Sequence, residues 1–167
     1  MEDTPVLQAE RMEALIREYG NMLFRFCLVT LGNAGDAEDA VQETYIRYLR
    51  KRPVFNDSEH EKAWLLRVAG NLCRDILRQR NRHPNVDIDE ISQFISDDRG
   101  PHLQDTQILE ALMNIPEKYR TVLVLYYVEE YSTEMIAKMI GRTASAVKMR
   151  LKKGRTLLRE AYRREME

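Results

Sequence analysis

Between residues 85 and 102 the helical pattern of this chain stops. That stretch has several acids, Gly100 and Pro101, and few bulky residues, the signature of a connector of low intrinsic order. Ile88, Ile91, Phe94 and Ile95 are its exceptions and could form one short docked turn. On both sides, apolar residues recur at the three- and four-residue steps of amphipathic helices. A chain of 167 residues interrupted in this way forms two small cores, each of modest size. With only 7 Gly and 5 Pro, it lacks the turn residues that a hairpin-rich fold needs. The expected fold is all-α: two small helical domains, residues 1–83 and 103–167, joined by an acidic linker, residues 84–102.

In the first domain, Met12, Leu15, Ile16, Tyr19, Met22, Leu23 and Phe26 define one face of a helix over residues 6–31. Gly32 to Gly35 end it, and Asp36 has the character of an N-cap for the next, with Glu38 and Asp39 in its first turn. That second helix turns Ala37, Ala40, Val41, Thr44, Tyr45, Tyr48 and Leu49 inward and closes at Pro53. After a polar loop, residues 54–60, a third helix carries Trp64, Leu65, Val68, Ala69, Leu72, Ile76 and Leu77 on a broad apolar face. His83-Pro84 stops it. Cys27 and Cys73 fall inside these apolar patterns and read as buried free thiols.

The second domain begins with a short helix marked by Ile108, Leu109 and Leu112. Pro116 then opens a helix carrying Tyr119, Val122, Leu123, Leu125 and Tyr126. Within residues 132–151, Ala137 is small where two helices would cross. Gly141 follows where a tight turn needs positive φ, and Val147 lies where a second helix would pack back on the first. Thr143 can cap that second helix. These offsets form a helix-turn-helix. A plain helical hairpin would carry mixed charge outside; here Arg142, Lys148, Arg150, Lys152, Lys153 and Arg155 crowd the outer face.

A net charge of −1 conceals strong segregation. Residues 64–82 hold five arginines against one acid, residues 83–105 one arginine against six acids, and residues 141–167 nine Lys and Arg against three Glu. Two polyanion-facing surfaces separated by an acidic connector are the consequence. No run of about 18 apolar residues exists to span a membrane, and the acidic Met1-Glu2-Asp3 start is unlike a secretory signal, so a cytoplasmic protein is expected. His60, His83 and His102 are scattered, and no paired Cys motif, nucleophile elbow or phosphate-binding glycine loop occurs. No catalytic residue, metal site or cofactor is expected.

Four segments carry a family resemblance. Asp36-Ala37-Glu38-Asp39-Ala40-Val41-Gln42-Glu43-Thr44-Tyr45 is close to Asp-Ala-Glu-Asp-Leu-Val-Gln-Glu-Thr-Phe. Trp64-Leu65-Leu66-Arg67-Val68-Ala69-Gly70-Asn71-Leu72-Cys73-Arg74-Asp75 follows Trp-Leu-x-x-Ile-Ala-x-Asn-x-x-x-Asp. Leu112-Met113-Asn114-Ile115-Pro116-Glu117-Lys118-Tyr119-Arg120 resembles a Leu-Pro-x-x-x-Arg opening, and the helix-turn-helix is the fourth. In order and spacing, nearly the whole chain resembles the extracytoplasmic-function sigma factors of bacterial RNA polymerase. It departs from them at Gly70 (often Arg), at Ala144-Ser145-Ala146 in the recognition helix, and at Gly154 (usually Ala). Gly154 would cost its helix about 1 kcal/mol.

The resemblance implies a protein that binds core RNA polymerase, recognises the −10 and −35 promoter elements and directs transcription initiation without being an enzyme. It assigns Asp36, Asp39, Gln42 and Glu43 to docking on core polymerase; an exposed acid-and-amide surface also suits a basic partner. It assigns Phe55, Asn56, Asp57, Asn71, Arg74, Arg78 and Arg80 to the −10 element, with Arg82 a further phosphate contact. There Phe55 either stacks on an extracted base or anchors the loop, and Trp64 belongs to the core. Arg142, Thr143, Ser145, Lys148, Met149, Arg150, Lys152, Lys153 and Arg155 fall to the −35 element. The acidic linker either threads into polymerase or is a simple tether. Many members are held inactive by an anti-sigma factor, so such a partner is expected too. A helix-turn-helix regulator independent of polymerase would leave the Gln42-Glu43 helix unexplained, and a protein-only adaptor would leave the basic helix unexplained.

Overall fold

The computed structural model describes residues 4–80 and 106–167, all of whose regular structure is helical. The expectations for the linker, for Arg82, His83 and His102, and for the side chain of Arg80 lie outside the described residues.

Three helices build the N-terminal part: α1 (Pro5–Leu31), α2 (Ala34–Lys51) and α3 (Ser58–Arg80). Thr4 caps α1 ahead of Pro5, and Gly32, at φ 70°, closes it. One residue later a new cap begins. The Asn33 side chain accepts from the Asp36 amide at 2.9 Å, so Asn33, not Asp36, is the N-cap of α2. Asp36 instead sits in the first turn, where its charge still complements the helix dipole. Arg52 ends α2 in the left-handed region, at φ 45°, ahead of Pro53. Asp57 begins α3, its carboxylate accepting from the His60 amide at 2.7 Å.

Leu15, Tyr19, Met22, Leu23 and Phe26 of α1 are buried as the periodicity requires. Ile16 and Leu49, read as inward from their spacing, are exposed instead, because each lies at the margin of its apolar face. Beyond Phe24 the one-sided pattern gives way: every residue from 25 to 32 is buried. A helix buried all round needs cover on more than one side. The second cover comes from the C-terminal part.

That part comprises α4 (Thr106–Met113), α5 (Glu117–Leu123), α6 (Thr133–Ile140) and α7 (Ala144–Met166). The chain leaves α5 through a π-helical segment, Val124–Val128, in which the Glu129 amide reaches back to the Val124 carbonyl at 3.0 Å. The wider turn shifts the register. Tyr126, expected inside, is exposed with Tyr127, while Glu129 is buried.

Long α7 packs against α4, α5 and α6, and α6 also packs on α3. At Gly154 the contact between α7 and α5 is close: a Cβ there would lie 3.3 Å from Leu123 and 3.4 Å from Tyr119 Cβ. The glycine that weakens α7 in isolation thus admits its neighbour.

Candidate polymerase and promoter interface

The helix-turn-helix is assembled by local capping. Ser132 caps α6 by accepting from the Met135 amide at 3.2 Å, and Gly141 ends it at φ 68°. Nothing lies within 4 Å of a Cβ built at Gly141, so backbone conformation and not space calls for glycine there. Thr143 caps α7 through the Ala146 amide at 3.1 Å. Ala137 and Val147 are both buried at the crossing.

Arg142, Thr143, Ser145, Lys148, Met149, Lys152, Lys153 and Arg155 are all exposed, and Met149 stands out at 73%. Arg155 donates to the Tyr127 hydroxyl at 3.2 Å. Together with Lys148 it flanks a shallow cleft that also takes in Tyr126, Ser132 and Thr133. Arg150 stands apart: it is half-buried, and burial first, then the nearby charges of Arg142 and Arg74, lowers its pKa.

The loop before α3 is folded onto itself. Phe55 stacks on Tyr48 with centroids 6.1 Å apart and meets His60 at 5.2 Å and Trp64 at 6.0 Å, both edge-on. Tyr48 donates to Glu61 at 2.8 Å. Of the two expected roles for Phe55, the anchoring one is adopted here. Trp64 is half-buried against the core, as expected. Asn56 and Val54 are exposed, Val54 at 90%. Asn71 and Arg74 are half-buried along α3, and Arg78 is exposed, 4.0 Å from Asp75.

On α2, Asp39 and Gln42 are exposed, while Asp36 and Glu43 are half-buried; Glu43 lies 3.5 Å from Arg47. Ala37, Ala40, Thr44 and Tyr48 hold the opposite side in the core.

Arg120 is a structural residue. Only 1% exposed, it donates to the carbonyls of Met113, Ile115 and Thr30, groups left open where α4 and α1 end. Burial lowers its pKa to about 10, so it remains charged at neutral pH. Cys27 and Cys73 are free and buried, as expected. The Cys27 neighbour first, then burial, holds the Cys73 thiol well above its ordinary pKa.

Residues 15–83 match the sigma-70 region 2 family and residues 105–158 match sigma-70 region 4. The ECF RNA polymerase sigma factor SigW of Bacillus subtilis is 31% identical over 160 residues, covering 87% of this chain and 85% of that one. SigL of Mycobacterium tuberculosis, also an ECF sigma factor, is 33% identical over 149 residues, covering 86% and 84%. The chain belongs to the ECF sigma factors. Among solved structures, the sigma factor RpoE of Bartonella quintana, crystallised with the anti-sigma factor NepR, shares the fold. Its TM-score is 0.70 at 21% identity, over 92% of this chain and 98% of that one.

As an ECF sigma factor the chain is a transcription initiation protein that recognises promoter DNA together with RNA polymerase, and it is not an enzyme. Among the described residues no helix is long and apolar enough to cross a membrane, and no cluster of His, Cys, Asp and Glu is placed to hold a metal.

Proposed function

We propose a division of labour in which residues 1–83 dock on core polymerase and capture the −10 element while residues 103–167 read the −35 element. Asp36, Asp39, Gln42 and Glu43 on α2 meet a basic surface of polymerase. Asn56 and Asn71 hydrogen-bond an extracted base, Phe55 offers its ring once the loop opens, and Arg74, Arg78 and Arg80 hold phosphate. Asp57 frames the loop by capping α3. Lys148 and its neighbours Arg142, Thr143, Ser145 and Met149 lie nearest the start of α7 and read base edges or flanking phosphate. Lys152, Lys153 and Arg155 bind phosphate alone. Arg150 is released toward DNA when the two parts separate. The protein works in the cytoplasm, where its polymerase is, and an anti-sigma factor restrains it, as NepR pairs with the Bartonella quintana protein.

The observation that carries this reading is the exposed basic row on α7, set at a fixed angle by the Ser132, Gly141 and Thr143 caps. Run-off transcription from a promoter library with purified core polymerase tests it. Parent protein should select promoters sharing two spaced elements, and Lys148→Ala should change the upstream one only. Selection that ignores either element would overturn the assignment.

A further inference from the structure

Where α2 ends beside the first turns of α1, the backbone carries an outlier. Arg52 leaves α2 at φ 45° and ψ 55°, a left-handed conformation that Gly or Asn takes up far more readily. Pro53 follows it, and a residue ahead of proline is pressed toward extended backbone instead. Cations in the last turn of a helix suit its dipole, which accounts for Arg50 and Lys51. The dipole gives no reason to hold an arginine past the cap in a strained conformation. Strain kept at such a position points to the side chain that imposes it.

That side chain shares a small cleft with Arg11 of α1. Gln8, Tyr48 and Pro53 are among the residues that line it with them, and no lining residue is acidic. Arg11 and Arg52 are both exposed, and among the described residues neither is ion-paired with a carboxylate. Two cations turned to one cleft repel each other unless an anion lies between them. The cleft measures about 30 Å³, room for two water-sized atoms at roughly 10–15 Å³ each. The two unbridged oxygens of one phosphodiester match that size. A nucleobase or a free nucleotide is too large for it.

Charge along α2 indicates which anion. Asp36, Glu38, Asp39 and Glu43 occupy its first part, and Arg47, Arg50 and Lys51 its end. A polymerase surface basic enough to take Asp39, Gln42 and Glu43 would repel the end that Arg52 extends. DNA would not. Tyr48 lines the cleft and also stacks on Phe55, with centroids 6.1 Å apart, so one ring separates the cleft from the loop assigned above to base capture. Arg11 acts on that same residue. Burial first, then Glu61, raises the pKa of the Tyr48 hydroxyl, and Arg11 opposes both by its charge and its hydrogen bond. A base held at this loop brings the phosphates of its own strand alongside.

We propose that Arg11 and Arg52 form a phosphate site for the single-stranded promoter DNA next to the captured base, gripping the strand by its backbone across Tyr48 from the loop. The proposal rests on the −10 reading above. It adds a contact from Arg11, which lies ahead of the residues 15–83 that match region 2.

The test uses the full chain assembled with core polymerase and a single-stranded nontemplate oligonucleotide spanning the −10 element. Arg11→Gln and Arg52→Gly should each weaken its binding about fivefold. Together they should flatten the slope of log affinity against log salt by about 0.7, the value for one phosphate on a single strand. A change of about twice that means two separate phosphates and overturns the shared site. Arg52→Gly should also raise the melting temperature of the free protein, because its backbone conformation suits glycine. Loss of binding and stability together would make Arg52 a structural residue and overturn the proposal. Neutral methylphosphonates placed one at a time along the oligonucleotide should locate the contact: at one position the parent loses affinity and the double variant does not. No such position means no such site. If the variants weaken core polymerase binding without DNA, the cleft takes an acid of the polymerase and the DNA assignment falls. Asn71→Ala separates the two readings. If it weakens oligonucleotide binding while the arginine variants do not, base capture stands and the phosphate site has failed; if none of them does, the −10 reading has failed and the site with it.

Discussion

The two surfaces proposed to face the promoter are prepared in different ways. On α7 the basic side chains are exposed on a helix whose start is fixed by Gly141 and Thr143. The loop ahead of α3 is instead occupied with itself, Phe55 lying among Tyr48, His60 and Trp64. Reading an intact duplex rewards a rigid helix, because little conformational entropy is lost on docking. Capturing a base requires extraction costing a few kcal/mol, and a ring held in a stack of its own can exchange one stacking partner for another. On the proposed reading, the contrast is therefore between a preset reader and a loop that rearranges as it binds.

The largest expected effect would break the preset side. Replacing Lys148, Lys152 and Arg155 together with Ala should weaken duplex binding roughly hundredfold at low salt. It should also flatten the slope of log affinity against log salt by about 3, one unit per lost phosphate contact. Titrations at several salt concentrations measure both, and an unchanged slope would remove α7 from the DNA. On the rearranging side, Phe55→Ala and Asn71→Ala should reduce open-complex formation by about tenfold or more while closed-complex affinity changes little. Permanganate footprinting set beside gel-shift binding makes that comparison, and equal losses at both stages would refute base capture. A third surface sharpens the contrast because it needs neither DNA nor rearrangement. Gln42→Ala with Glu43→Lys should weaken core polymerase binding by about tenfold at unchanged helicity, read by fluorescence anisotropy.

Features fixed by neighbours in sequence were legible in it. The Gly141 turn, the Thr143 cap, the crossing residues Ala137 and Val147 and the basic face of α7 follow from spacings of a few residues. What depended on distant parts was not. The apolar run at the end of α1 has a helical period on its inner face, and nothing local shows that a second domain covers the outer one. Glu129 reads as a solvated acid until the π segment turns it inward toward Arg25. Asp36 and Asn33 compete for one cap, and the left-handed Gly32 decides it by placing the helix start three residues earlier. Phe55 had two roles open because stacking on a base and stacking on Tyr48 ask the same of the side chain.

Gly154 gives the smallest and most finely balanced test of the preset reader. Helix propensity alone says that Gly154→Ala should stabilise α7 by about 1 kcal/mol. Packing opposes this, since the new Cβ would stand 3.3 Å from Leu123, which is buried, and 3.4 Å from Tyr119 Cβ. Overfilling a tight contact costs about 1–3 kcal/mol, so the expected net change is a loss of about 1 kcal/mol. Gly141→Ala should lose a similar amount for an unrelated reason, the positive φ of 68°, with open space around it. Rescue tells the two apart. Shortening the neighbour with Leu123→Val should recover stability in the Gly154→Ala background by relieving the crowding. It should only add to the loss in the Gly141→Ala background, where Asn, which tolerates the left-handed region, is the better replacement. Thermal denaturation of these variants decides between crowding and backbone conformation. If Gly154→Ala instead raises the melting temperature, then α5 and α7 can move apart at no cost, and the angle of the reading helix is set by its caps alone.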